Sequence, residues 1–229
     1  SGLYSGRQEA MGIIKAMASE ITAFDVFGGI GISAGIAFAR AAKGAYDFEK
    51  QFQQSMKEVA TLSNGIKGSL TDYMNQVMEI TRTIPVEANE AAKALYQIVS
   101  AGHDGANGMK VLEASAKAAV GGVTDTATAA DAITTVLNAY KLDASKAQEV
   151  SDQLFTTVRL GKTDFGQLGK SIAQAAPIAA SFGIDIKEVL GAVASITKQG
   201  VPTSEAMTKI RAAILGTANQ LGDAAFKGR

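Results

Sequence analysis

The sequence has no cysteine, no tryptophan, one histidine and only three prolines in 229 residues. Without cysteine there is neither a disulfide framework nor a thiolate metal site, and thiol chemistry is excluded. A single histidine removes the clustered-imidazole metal sites and most base-and-nucleophile pairs. Aromatic residues make up 6% of the chain and runs of alternating or Val-rich character are few, which argues against sheets. Net charge is absent as well: 22 basic residues balance 22 acidic ones, so no overall field draws the chain to nucleic acid or to an anionic membrane, and tight sequence-specific nucleic-acid binding is not expected. No basic n-region followed by a cleavage site is visible.

What is present is alanine, glycine and helical periodicity. Hydrophobic residues form 47% of the chain, enough for a substantial core. The clearest unit is Phe182 to Leu215, around which the chain reads as organised. Ile186, Val189, Leu190, Val193 and Ile196 recur at helical spacing after Asp185, which caps with Glu188 three residues on. Met207, Ile210, Ile214 and Leu221 form a second stripe. Gly200 stands where a helix ends in positive φ, and Pro202 where a helix start tolerates a missing N–H, so the two stripes predict an αα-hairpin.

Earlier in the chain, residues 7–62 read as one or two long helices interrupted by the Gly-rich apolar stretch 24–40. The uncharged run from Val26 to Ala39 is shorter than the roughly 20 residues of a membrane-spanning helix. Gly31 and Gly35 make a G-x-x-x-G spacing suited to close helix packing, either within an oligomer or against a neighbouring helix. Gly29, Gly31 and Ala34 also imitate a dinucleotide fingerprint, but the strand and βαβ unit that such a site needs are missing. Asn64-Gly65 breaks the helix, Ser69 with Asp72 offers a cap for the next, and Thr83-Ile84-Pro85 stops that one and starts another. Residues 90–99 then align with 128–137 and with the helix after Pro202, a shift of about 38 residues per helical pair that suits a helical-repeat array. Gly102, Gly105, Gly121-Gly122, Gly161, Gly183 and Gly200 punctuate helix-length segments, and Pro177 bends or breaks the run that contains it. The fold class expected is all-α: antiparallel helical hairpins in a repeat-like array, with an N-terminal helical segment over residues 1–60 and an all-helical region over 61–229.

Candidate chemistry is thin. His103-Asp104 lacks a partnering nucleophile, so the histidine reads as a turn residue and the aspartate as a helix cap. The carboxylate pairs Glu87/Glu90 and Asp185/Glu188 stand at helix starts, where capping and the macrodipole account for them. Gly161-Lys162-Thr163 resembles the end of a P-loop, but Thr156 occupies the position where the first glycine is required. No catalytic, cofactor-binding or metal-binding residue is assigned, no cofactor is expected, and the chain is expected not to be an enzyme.

An ordered set of short motifs resembles the core region of phage tail tape measure proteins. It comprises Leu137-Asn138-Ala139-Tyr140 with Leu142, Val150-Ser151-Asp152, Phe165-Gly166 with Leu168, Ala176-Pro177, Phe182-Gly183-Ile184, Gly200-Val201, Ser204-Glu205-Ala206 and Arg211-Ala212-Ala213. Phe48-Glu49-Lys50, Thr83 with Pro85, Glu90-Ala91 and Ala101-Gly102 extend it upstream, so that it covers roughly residues 45–221. The family often has Gly-Thr before the Leu-Arg of its last helix, where this chain has Met207-Thr208-Lys209-Ile210-Arg211, which bears on the packing at Met207. The resemblance implies a structural protein of the virion, assembled in the bacterial host cytoplasm, that sets tail length and occupies the tail tube or its baseplate end until DNA ejection. Its implied partners are other copies of itself, tail-tube and baseplate or tail-tip proteins, and the host membrane during ejection. The start at Ser1 and the close at Lys227-Gly228-Arg229 suggest a piece of a longer chain. The alternative is a membrane-active, pore-forming helical protein inserting residues 24–40, and a peptidoglycan hydrolase finds no residue to carry it.

Overall fold

The computed structural model describes the backbone of residues 31–63 and 70–227 and the side chains of residues 43–44, 47–63 and 70–217. Among the described residues ten α-helices follow one another: α1 (Gly31–Leu62), α2 (Leu70–Thr83), α3 (Ala88–Ser100), α4 (Gly105–Gly122), α5 (Thr126–Ala139), α6 (Ala147–Leu160), α7 (Phe165–Ser171), α8 (Ala176–Ser181), α9 (Ile186–Lys198) and α10 (Thr203–Lys227). Single 3₁₀ turns precede α6 and α8, and no strand occurs among the described residues, so the fold is all-α. The chain divides into two compact units, Ser1–Gln53 and Gln54–Arg229. In the first, α1 carries a stacked pair, Phe48 and Phe52, with ring centroids 6.3 Å apart. The second holds helices α2 to α10.

The centre of the second unit is α5, not the hairpin that periodicity makes most conspicuous. Helix α5 packs against α3, α4, α6, α7 and α8. It buries Thr126, Ala129, Ala130, Ala132, Ile133, Thr134, Val136 and Leu137, which together go round most of the helix. Small residues on several faces let four or five neighbours approach at once, and a sequence of this kind shows no single apolar stripe. Helix α3, which aligns with α5 in sequence, packs on it through a face that buries Ala91, Ala92, Ala94, Leu95, Ile98 and Val99. Helices α9 and α10 also pack together, with Ile186, Val189, Leu190 and Val193 facing inward alongside Ala206, Met207 and Ile210. Met207, at the position where the resembling family often has a small residue, is fully buried.

Helix starts follow their capping residues. Asp125 accepts from Thr128 N at 2.7 Å, Asp164 from Gln167 N at 2.8 Å and Asp185 from Lys187 N at 2.8 Å. Asp104 accepts from Gly105 N and, from distant chain, from Ser63 Oγ, both at 2.6 Å. Pro85 is the middle residue of a three-residue turn closed by Val86 N donating to Ile84 O at 2.8 Å. Pro177 sits in the first turn of α8, just after a 3₁₀ turn, where its missing N–H has no helical partner to lose. At helix ends, Gly102, Gly183 and Gly200 have φ of 94°, 72° and 96°.

Two features depart from the sequence reading. From Gly31 onward the stretch taken as an interruption is helical and continuous to Leu62, because Ala around the glycines favours the helix and each glycine costs only about 1 kcal/mol. The left-handed residue that ends α4 is Val123 (φ 49°, ψ 51°), not Gly121 or Gly122. Residues 24–30, Asn64-Gly65 and Ser69 lie outside the described residues, as does the side chain of Leu221. Gly31 and Gly35 fall in the first turns of α1, and their surroundings lie outside the described residues too.

Candidate functional site

The residues that looked chemical in the sequence are taken up by the scaffold. His103 Nε2 lies 3.0 Å from Asn138 Oδ1, while Asn138 Nδ2 donates to Ala101 O at 2.9 Å. Because the amide nitrogen is already donating, the amide oxygen accepts from the imidazole N–H, and the pair clamps the α3–α4 turn to the end of α5. Asp104 holds Ser63, Gly105 and, at 3.4 Å, the hydroxyl of Tyr73. Burial together with the Asp104 charge pushes the Tyr73 phenol up to about 12.

Glu90 has a role that its sequence neighbours do not show. Its Oε1 accepts from Thr126 N at 2.6 Å and from Thr126 Oγ1 at 2.7 Å, so it closes the N-terminus of α5 from the neighbouring helix α3. Asp125 adds its own cap there. Burial works to raise the Asp125 pKa, but hydrogen bonds from the Thr128 hydroxyl and N–H outweigh it, and the carboxyl titrates below its ordinary value. Two carboxylates thus meet the positive end of the central helix. Glu87, at the N-cap position of α3, makes no side-chain cap bond.

The Gly161-Lys162-Thr163 segment is a packing corner. A Cβ on Gly161 would lie 2.9 Å from Ala194 Cα, Lys162 N donates to Thr197 Oγ1 at 3.2 Å, and the hydroxyls of Thr163 and Thr203 are 2.7 Å apart. Its backbone donor therefore already has a partner within the protein, unlike that of a phosphate cradle.

A surface groove of about 460 Å³ lies between α6 and α9. Leu160, Leu190, Gly191 and Ala194 give it apolar lining, and Glu149, Asp152 and Lys187 add charged groups. Leu160 is 56% exposed, high for a leucine beside a cleft. Gln153 also lines the groove; its Nε2 donates to Glu149 Oε1 at 3.4 Å, while its Oε1 is buried and without a hydrogen-bond partner. Sequence reasoning missed this groove, since its walls come from helices about forty residues apart and only Leu160, apolar at the outward end of α6, gives a local signal.

Among the described residues no group of histidine, aspartate or glutamate side chains could hold a metal ion. No described helix is long and apolar enough to cross a membrane.

The profile of the family described as "Phage-related minor tail protein" matches residues 74–227, which run from the first turns of α2 to the end of α10. A "Probable tape measure protein" of Clostridium phage phiCD119 is 31% identical over 163 residues, covering 69% of this chain and 17% of that protein. The "Tape measure protein" of Pneumococcus phage Dp-1 is 23% identical over 164 residues, covering 72% of this chain and 14% of that protein. The matched segment is therefore less than a fifth of either relative. No solved structure matches the chain.

Proposed function

Because the chain belongs to the phage-related minor tail protein family, we propose that it is a helical core segment of a tape measure protein, a structural component of the phage tail. In this reading the parent chain sets tail length and occupies the tail tube or its baseplate end until DNA leaves. Residues 61–229 form the core region and residues 1–60 the helical segment leading into it. The segment works by packing: against other copies of itself and against tube and baseplate or tail-tip proteins. It carries out no reaction.

The observation that carries this is the family match across helices α2 to α10 together with the tape measure relatives. The geometry agrees with it. Several polar groups that could have pointed to catalysis are engaged in caps and clamps, as with Glu90 on Thr126, Asp185 on Lys187 N and His103 on Asn138. The direct experiment is mass spectrometry of purified virions and of separated tails. Peptides of residues 74–227 should travel with the tail in a copy number far below that of the tube subunit. Their absence from purified tails, with recovery only from infected-cell lysate, would refute the proposal.

A further inference from the structure

Helices α3 to α10 stack in chain order. Helix α3 packs on α4 and α5, α4 on α5 and α6, α6 on α9, and α7 on α10. With α7, its 3₁₀ turn and α8 counted as one broken helix, most packing is between neighbours and next-but-one neighbours. Hydrogen bonds between the elements keep the same reach: Glu90 with Thr126, His103 with Asn138, Lys162 N with Thr197 and Gln167 with Thr203 join residues 35 or 36 apart. In such an array a helical pair is held by its immediate neighbours, not by the far end.

The neighbours do not hold every pair equally. Helix α5 is buried on several faces, and the charged Glu90 acceptor fixes its N-terminus from α3 through two short bonds to Thr126. The α9–α10 hairpin is docked more loosely. Outside the hairpin, the chief neighbours of α9 are α6 and α8, and those of α10 are α7 and α8. The α6–α9 seam is close where Gly161 meets Ala194 but stands open along the groove of about 460 Å³, where Gln153 Oε1 is buried without a partner. The seam of α10 with α7 and the 3₁₀ turn carries neutral bonds. Thr203 Oγ1 donates to Gln167 Oε1 at 3.1 Å and lies 2.7 Å from Thr163 Oγ1, while Thr208 Oγ1 donates to Gln174 Oε1 at 3.1 Å. Hydroxyl and amide groups exchange such bonds for water at little net cost.

The connection into this hairpin has the form of a hinge. Phe182 is 50% exposed, and Gly183, at φ 72°, has nothing within 4 Å of an added Cβ. The Tyr140 hydroxyl donates to Ile184 O at 3.1 Å, which pins the turn itself and leaves the helices beyond it free to move as a pair. Since α9 and α10 pack on each other, they have reason to move together. We propose that α9 and α10 swing off the array as one unit about the Phe182–Gly183 turn while α3 to α6 stay folded. This opening belongs to the array itself and stands or falls apart from the tail role.

Native-state hydrogen exchange of the full chain in rising urea tests it. Relative to intrinsic rates, amides of residues 186–198 and 206–214 should exchange at least about tenfold faster than the slowest amides of α3 and α5. They should share one urea dependence, shallower than that of α3 and α5, because the opening exposes less surface than global unfolding. Glu90→Gln weakens a clamp that survives the opening. It should speed exchange in α3 and α5 about tenfold or more and leave α9 and α10 within about twofold of the parent. Ile133→Val, a one-methyl deletion at a fully buried position of α5, should give the same pattern with about two- to tenfold acceleration. Equal acceleration of all four helices by either variant would show a single cooperative unit and overturn the proposal. So would parent amides in α9 as protected as those in α5, or rates that grade along the hairpin without a common urea dependence, which is fraying.

Discussion

Two glycines on the two helices of the groove should respond to the same substitution with opposite sign. At Gly161, which ends α6, an added methyl would lie 2.9 Å from Ala194 Cα, 2.7 Å from Thr197 Oγ1 and 3.1 Å from Thr157 O. Carbon atoms prefer roughly 3.5–4.0 Å, so α9 or the turn must move by more than half an ångström, on the order of 0.6–1.1 Å. Overpacking of this kind costs about 1–3 kcal/mol. The backbone there (φ −103°, ψ −172°) is open to alanine, which returns about 0.4–1 kcal/mol through the unfolded chain. The net expectation for Gly161→Ala is a loss of about 1.3 kcal/mol at mid-range and of about 2.6 kcal/mol at most. Gly191 lies in the interior of α9 with nothing within 4 Å of an added Cβ, so Gly191→Ala should gain about 1 kcal/mol from helix propensity alone. For a chain of this size each kcal/mol moves Tm by about 2–4 °C. Urea unfolding and thermal melts of the two variants should bracket the parent. Shifts of the same sign would show that the α6–α9 approach at Gly161 is not as tight as described.

Other perturbations have defined outcomes. Glu90→Gln removes a charged acceptor from Thr126 N and Oγ1 at the start of α5 and should cost about 1.5–3 kcal/mol in urea unfolding; an unchanged midpoint would mean that Asp125 suffices. Val123→Gly should stabilise the single copy by about 1 kcal/mol through relief of the left-handed valine, and a lower Tm would contradict the strain. Burial, with added repulsion from Asp104 for Tyr73 and from Asp185 and Glu188 for Tyr140, pushes both phenols from 10.0 up to about 12. The folded state then holds protons that the unfolded chain releases first. Stability should be level up to pH 10 and fall as pH rises toward 12, and Tyr73→Phe should flatten that fall. A wild-type profile that does not change between pH 10 and 12 would refute the assignment.

Periodicity made α9 readable, because Ile186, Val189, Leu190 and Val193 form one stripe on one buried face, and Asp185 marked its start through a local capping bond. The same signal understated α5, whose burial comes from contact on several sides and whose packing surface is largely Ala and Thr. Glu90 could be placed at a helix start but not on Thr126, 36 residues away, because that hydrogen bond exists only once α3 and α5 are packed. The glycine pair at 121–122 looked like the helix stop. In fact tertiary packing against Phe155 and Phe165 uses those glycines, and the left-handed position passes to Val123. The groove was unreadable for the same reason as Glu90. The motif resemblance concerned order along the chain, and the family match covers residues 74–227 of it.

The central claim, that this chain is part of a tail-length ruler, is tested most directly by electron microscopy of tails from phage carrying in-frame deletions in the parent gene outside residues 74–227. A helical ruler rises about 1.5 Å per residue, so removing about 100 residues should shorten the tail by about 150 Å, in proportion to the deletion. Tails of unchanged length from such particles would contradict the account.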